Sequence, residues 1–246
     1  MPIYVINLRR ALRLARPVVI LSSLILIVSI LIVTIGSAHS DSRYSDVINQ
    51  KKEWTVIIDA GHGGEDSGAV GVSGALEKNL NLEISLLIGE ELINRGYKVV
   101  YTRTEDKMLY SAEENIKGMR KISDLKNRCK ISFEYENPIF ISVHMNSYGS
   151  SKYSGLQVYY TDGNDESKSL ANKIQNSVKT SLQTENTRQI KNGKNLYLLE
   201  NCNGTAVLVE CGFLSNTDEC KKLSEKEYQK QLSFAIICGI IEYIGD

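Results

Sequence analysis

Residues 55–74 read TVIIDAGHGGEDSGAVGVSG, an apolar β-branched run that breaks into a glycine-rich loop carrying one histidine and two acids. The first five residues, Thr55–Asp59, have the composition of a buried strand. Beyond the loop, Leu80, Ile84, Leu87, Ile88 and Leu92 recur on one helical face, and Gly96 follows as a stop. Strand, loop and amphipathic helix in that order open a β/α alternation, and the rest of the chain continues it. Lys98–Thr102 and Ile139–Val143 (IFISV) read as strands, with a helix over Asp124–Ser132 between them. The charged stretch Lys107–Lys121 reads as a helical or loop insertion. Gly155–Tyr160 has the character of an antiparallel or edge strand, and Leu170, Ile174, Val178 and Leu182 share a helical face. Asn195–Leu199 and Thr205–Val209 are two further expected strands. A last helix aligns Tyr228, Leu232, Ala235, Ile236, Ile240 and Tyr243. This alternation predicts an α/β fold, a single three-layer domain over residues 54–246 with a mostly parallel twisted sheet between helices.

Before that domain the chain has a different character. Arg9, Arg10, Arg13 and Arg16 precede an apolar run from Val18 to Ile35, with no acid in the first 40 residues. As a helix the run spans roughly 27 Å, near the ~30 Å of a hydrocarbon core. Residues 1–40 are therefore expected to be a signal peptide or membrane anchor. Gly36-Ser37-Ala38 would admit cleavage, and in both cases the arginines stay inside while the body is exported. Residues 41–53 are polar, lack periodicity and read as a linker. The chain as a whole has 29 basic and 29 acidic residues, so removing the four leader arginines leaves a mildly acidic body. Such a body lacks the clustered basic face a nucleic-acid partner calls for. Five cysteines with no C-x-x-C pair indicate neither a disulfide framework nor a zinc knuckle.

Of three histidines, His39 lies in the leader, while His62 and His144 each follow an expected strand. In an open α/β sheet, ligands gather at the carboxyl ends of the strands. Two strands ending in histidine can bring their imidazoles together if the strands are neighbours. Glu210 repeats the pattern after the apolar strand TAVLV. An acid there is costly to bury without a partner, so it is either ion-paired or a catalytic base. A hydrolytic zinc site wants three protein ligands, often two His and one Glu, and an open position for water. Spacing leaves Glu65 and Glu77 both open as the third ligand. The glycine-rich loop matches neither G-x-x-x-x-G-K-[ST] nor G-x-G-x-x-G, which sets nucleotide binding aside.

The runs IIDAGHGGEDSGAVG, LEKNLNLEISLLIGEEL, TRTED, FISVHMNS and VLVECGFLSN, in this order, resemble the zinc-dependent N-acetylmuramoyl-L-alanine amidases over nearly all of residues 54–244. The resemblance implies one zinc ion per chain, bound by His62, Glu77 and His144, with Glu210 as the catalytic acid. It also makes Arg188, in TRQIK, and Asn146, in FISVHMNS, candidate substrate contacts. The implied substrate is peptidoglycan, cut at the amide between the lactyl group of N-acetylmuramic acid and L-alanine. Without a wall-binding repeat, the chain resembles the sporulation and germination members, which implies spore-cortex work and an accessory or activating protein. Lys107–Lys121 departs from the family by its length. The competing readings are another exported zinc peptidase or deacetylase of the wall, and a membrane-tethered wall-binding protein without activity.

Overall fold

The computed structural model describes residues 26–29, which are helical, and residues 54–245. The leader over 1–40 and the linker over 41–53 thus lie, but for those four residues, outside the described residues. Among the described residues no helix is long and apolar enough to cross a membrane.

The body runs β1 (Thr55–Ala60), α1 (Glu77–Asn94), β2 (Lys98–Tyr101), α2 (Arg120–Ser132), β3 (Pro138–Asn146) and β4 (Gln157–Tyr160), then α3 (Asp165–Ser181) and β5 (Lys191–Asn192). It ends with α4 (Tyr197–Asn201), β6 (Thr205–Phe213), α5 (Thr217–Leu223) and α6 (Lys226–Gly245). The six strands form one sheet in the order β2-β1-β3-β6-β4-β5. β1, β2, β3 and β6 are mutually parallel, and β4 joins β6 antiparallel.

Alternation along the strands builds the layers, because successive side chains of a strand point to opposite faces. Val56, Ile58, Ile139, Ile141, Val143, Val207 and Val209 pack on one face against α1, α3 and α6. Ile57, Phe140, Ala206 and Leu208 pack on the other, against α2 and α4. Both faces are covered, so the central strands are mostly apolar, with Asp59 and Ser142 among the buried polar exceptions. The expected three-layer α/β domain is the observed one.

One local reading changes, and two that left alternatives open are resolved. Asn195–Leu199, expected as a strand, turns into the helix α4, entered through Asn195 at φ +70°. Leu198 and Leu199 are both buried in the same cluster, which adjacent residues of a strand facing one layer cannot achieve. Gly155–Tyr160 is antiparallel, but the two-residue β5 rather than β4 forms the edge. The segment Lys107–Lys121 is irregular loop with short turns, and α2 begins inside its end. That segment is pinned where Asp124 Oδ1 accepts from Leu109 N (2.6 Å) and Asn127 Nδ2 donates to Leu109 O (2.7 Å).

Candidate metal centre

From β1 the chain passes through α1 to β2 on one side and through α2 to β3 on the other, so the strand order reverses between β1 and β3. At such a switch point the connections diverge and leave a crevice beyond the carboxyl ends of the two strands. His62 stands just past β1, and His144 lies near the end of β3. Register then adds Glu210, which faces His144 across the β3–β6 pairing. The pairing slips by one residue beyond this point, between His144 and Asn146.

The third ligand comes from a helix start. Glu77 is the first residue of α1, where a negative charge is favoured by the unpaired N–H groups and the helix dipole. His144 Nδ1 lies 2.9 Å and His62 Nε2 3.2 Å from Glu77 Oε1. The ligand atoms of His62, Glu77 and His144 all lie within 4.8 Å of one another. The two imidazoles meet edge to face, centroids 4.9 Å apart. Glu65, the alternative left open by spacing, points elsewhere and pairs with Arg120.

Neighbouring groups fix these side chains. His62 Nδ1 donates to Asp66 Oδ2 at 2.9 Å, the carboxylate–histidine arrangement that orients a metal-binding ring. Glu77 accepts from Ala69 N (2.8 Å), Met145 N (3.1 Å) and Asn81 Nδ2 (3.4 Å). Two glycines are needed for close approach. A Cβ at Gly61 would stand 2.2 Å from His144 Nε2, and one at Gly68 would stand 2.5 Å from Glu77 Oε2.

His62 itself has φ +61°, the left-handed region that side-chain-bearing residues rarely adopt. Its carbonyl accepts from Arg128 Nη2 at 2.7 Å. Arg128, 1% exposed, also donates to Asp59 Oδ1 (2.7 Å), Asp124 Oδ2 (2.8 Å) and Ala60 O (2.7 Å). Arg103, likewise buried, donates to Ala60 O (2.8 Å) and Gly61 O (3.0 Å). Two buried guanidinium groups thus brace the loop that presents His62.

Electrostatics follow from this crowding. Burial opposes charge on Glu77, yet hydrogen bonds from His144 and His62 outweigh it and hold the carboxyl far below its ordinary range. Burial likewise disfavours the His62 imidazolium, but hydrogen bonds to Asp66 and Glu77 carry the ring up to about 9. Glu210 behaves in the opposite way. Burial pushes its carboxyl up to about 7, and its Oε2 is sealed from solvent with no hydrogen-bond partner. A carboxylate oxygen left unpaired beside two imidazoles and a carboxylate is what a site awaiting a cation and a water presents. The donor set of two imidazole nitrogens, one carboxylate and an adjacent free carboxylate fits zinc.

Arg188 lies over the Phe213 ring, 4.8 Å from its centroid, and its Nη2 donates to Gln157 Oε1. Gln157 faces Glu210 across the β4–β6 pairing, so Arg188 approaches the Glu210 position from that strand. Asn146 is half-buried at the end of β3, and its carbonyl accepts from Leu214 N at 2.8 Å. Sequence reasoning missed the roles of Asp66, Asn81, Arg103 and Arg128. Asp66 and Arg103 stand a few residues beyond apolar strands, whereas Asn81 and Arg128 lie within helices and gave no such signal.

Comparison with known proteins shows the family. The family model for N-acetylmuramoyl-L-alanine amidase matches residues 56–242. The germination-specific N-acetylmuramoyl-L-alanine amidase of Bacillus subtilis is 36% identical over 193 residues, covering 78% of this chain and 80% of that protein. The CwlD amidase from Clostridioides difficile, solved in complex with the GerS lipoprotein, superposes with a TM-score of 0.74 at 40% identity, over 78% of this chain and 98% of that one. The catalytic domain of CwlV, an N-acetylmuramoyl-L-alanine amidase from Bacillus (Paenibacillus) polymyxa, gives a TM-score of 0.66 at 34% identity over 78% of this chain and 98% of that one. The chain belongs to the N-acetylmuramoyl-L-alanine amidase family.

Proposed function

We propose that the chain hydrolyses the amide between the lactyl group of N-acetylmuramic acid and L-alanine in peptidoglycan, with one zinc ion held by His62, Glu77 and His144 and with Glu210 as general base and acid. The observation that carries this reading is the convergence of those three ligand atoms within 4.8 Å beside the unpartnered Oε2 of Glu210. Zinc in such a site polarises a carbonyl and brings the pKa of its water down to about 7.

The chain's own groups do the rest. Glu210 accepts the proton of the attacking water and returns it to the leaving nitrogen of L-alanine, a relay that contributes roughly 10²–10⁴-fold in rate. Asp66 keeps the Nδ1–H of His62 engaged at 2.9 Å, which leaves Nε2 free to ligate. Arg188, fixed against Phe213 and Gln157, and Asn146, two residues beyond His144, serve as substrate contacts.

A relative named as a probable cell wall amidase, LytH of Staphylococcus epidermidis, supports an extracytoplasmic place of action. We extend this to export through the leader over 1–40, a linker over 41–53 and a catalytic domain over 54–246. The name of the Bacillus subtilis relative and the GerS complex of the Clostridioides difficile relative support a germination role in spore cortex and an accessory protein.

The test is mass spectrometry of peptidoglycan digested by the purified chain. New free amino termini on L-alanine are expected. Released acetate in their place would identify a deacetylase and overturn the reading.

A further inference from the structure

The sheet face that carries α2 and α4 contains a feature that hydrolysis does not use. Of the five cysteines, Cys211 and Cys220 are buried in the core on the α1/α3/α6 side, and Cys238 is exposed on α6. The other two share the opposite cluster. Cys129 is buried in the last turns of α2, and Cys202 caps the end of α4, half-exposed and packed against the same apolar residues.

The backbone brings these two positions together. Cys129 Sγ and Cys202 N both approach Leu198 O, at 3.9 Å and 2.9 Å. Ser132 Oγ, one turn beyond Cys129, accepts from Asn203 N at 2.8 Å, and Ser132 O accepts from Asn203 Nδ2 at 3.4 Å. Leu198 O is thus a shared neighbour, and Cys202 packs against the same cluster that holds Cys129. Residues 129–132 and 202–203 are therefore held side by side, although 73 positions separate the cysteines.

We infer that Cys129 and Cys202 are a disulfide-forming pair that ties α2 to the end of α4. With a disulfide oxidant such as oxidised glutathione, the more accessible Cys202 sulfur attacks first. It forms a mixed disulfide, loses its proton to solvent and releases one glutathione thiolate. Cys129 sulfur then attacks the Cys202 sulfur, loses its own proton and expels the second glutathione thiolate. Two thiols are oxidised to one disulfide, and one glutathione disulfide is reduced to two thiols. The adjacent thiol, then burial, pushes Cys202 upward, so exchange is slow near neutrality and is read at completion.

The bond would close a long loop and clamp the helix whose Arg128 holds Asp59 and the His62 carbonyl. Closure of such a loop is strongly felt by the unfolded chain. Formation in the cell rests on the extracytoplasmic placement proposed above, because such compartments sustain disulfides. Formation in vitro does not rest on it.

The experiment incubates the purified full chain with oxidised glutathione or with dithiothreitol, followed by peptide mapping and thermal melting. We expect the oxidised chain to be two hydrogens lighter, with a Cys129–Cys202 linked peptide and a melting point raised by roughly 5–10 °C. Cys202→Ser should melt like the reduced chain in both conditions, while Cys238→Ser should still form the link. A bond mapped to another pair, a glutathione adduct that persists on Cys202, or equal melting of oxidised and reduced protein would overturn the assignment. Because none of these readouts involves export or turnover, they separate failure of the pair from failure of the proposed location or activity.

Discussion

Replacing Arg128 with methionine tests how the fold carries the site. Methionine keeps much of the stem volume and removes the charge. The guanidinium is 1% exposed and serves Asp59 at 2.7 Å, Asp124 at 2.8 Å and the carbonyls of Ala60 and His62 at 2.7 Å each. Without it, Asp59, 0% exposed, retains only Ser142 (2.6 Å) and Thr102 (2.7 Å) as donors. Breaking a buried ion pair on one side costs about 3–5 kcal/mol, because the remaining charge stays buried. For a domain of this size that lowers Tm by roughly 6–20 °C.

The pH dependence gives the sharper check. In the wild-type protein burial opposes the Asp59 charge, but the charge of Arg128 and hydrogen bonds from Ser142, Thr102 and Arg128 hold its carboxyl below the ordinary range. That stabilisation is present above the unfolded pKa, about 4, and is lost as pH falls through the folded one. In Arg128→Met, only the hydrogen bonds from Ser142 and Thr102 still oppose burial, so the Asp59 carboxyl rises and the variant gains relative stability on acidification. Urea unfolding from pH 7 to pH 4 should therefore show the gap between the two proteins narrowing, with m unchanged. A gap below about 1 kcal/mol at neutral pH, or one that does not change with pH, would refute the reasoning.

Further expectations concern the site itself. Glu210→Gln should keep zinc and lose roughly 10²–10⁴-fold in kcat; wild-type turnover would remove Glu210 from catalysis. Asp66→Asn should weaken zinc binding about 10–100-fold in a competitive chelator titration without unfolding the protein. Gly61→Ala places its Cβ 2.2 Å from His144 Nε2 and should lose metal and activity together, whereas retention of both would show that the imidazole can shift freely. With His62 raised to about 9 in the metal-free protein, loading must displace its proton, so zinc affinity should climb with pH up to about that value. Calorimetry in buffers of different ionisation enthalpy reads the released proton.

Much of this was legible in the sequence for a physical reason. A strand buried on both faces is mostly apolar, so a histidine that follows TVIID through Ala60-Gly61, or a histidine or glutamate directly after IFISV or TAVLV, stands out as leaving the core. Neighbourhood was not legible. That β1 and β3 pair, and that His144 faces Glu210, is a property of strand order and register. Choosing Glu77 over Glu65 depended on the start of α1, which spacing alone left undecided. The Asp59–Arg128–Asp124 network was hidden because Arg128 meets Asp59 across 69 positions and looks like any surface arginine of a polar helix. Asn195–Leu199 misled because five residues hold too little periodicity to separate a strand from one turn of helix.

The most direct measurement is X-ray absorption at the zinc edge on the purified, zinc-loaded chain, with His144→Ala beside it. We expect one zinc per chain with two imidazole nitrogens and oxygen ligands at ~2.0–2.2 Å, no sulfur at ~2.3 Å, and loss of the signal in the variant. Sulfur ligation, or full zinc occupancy with His144 removed, would contradict a centre built from His62, Glu77 and His144.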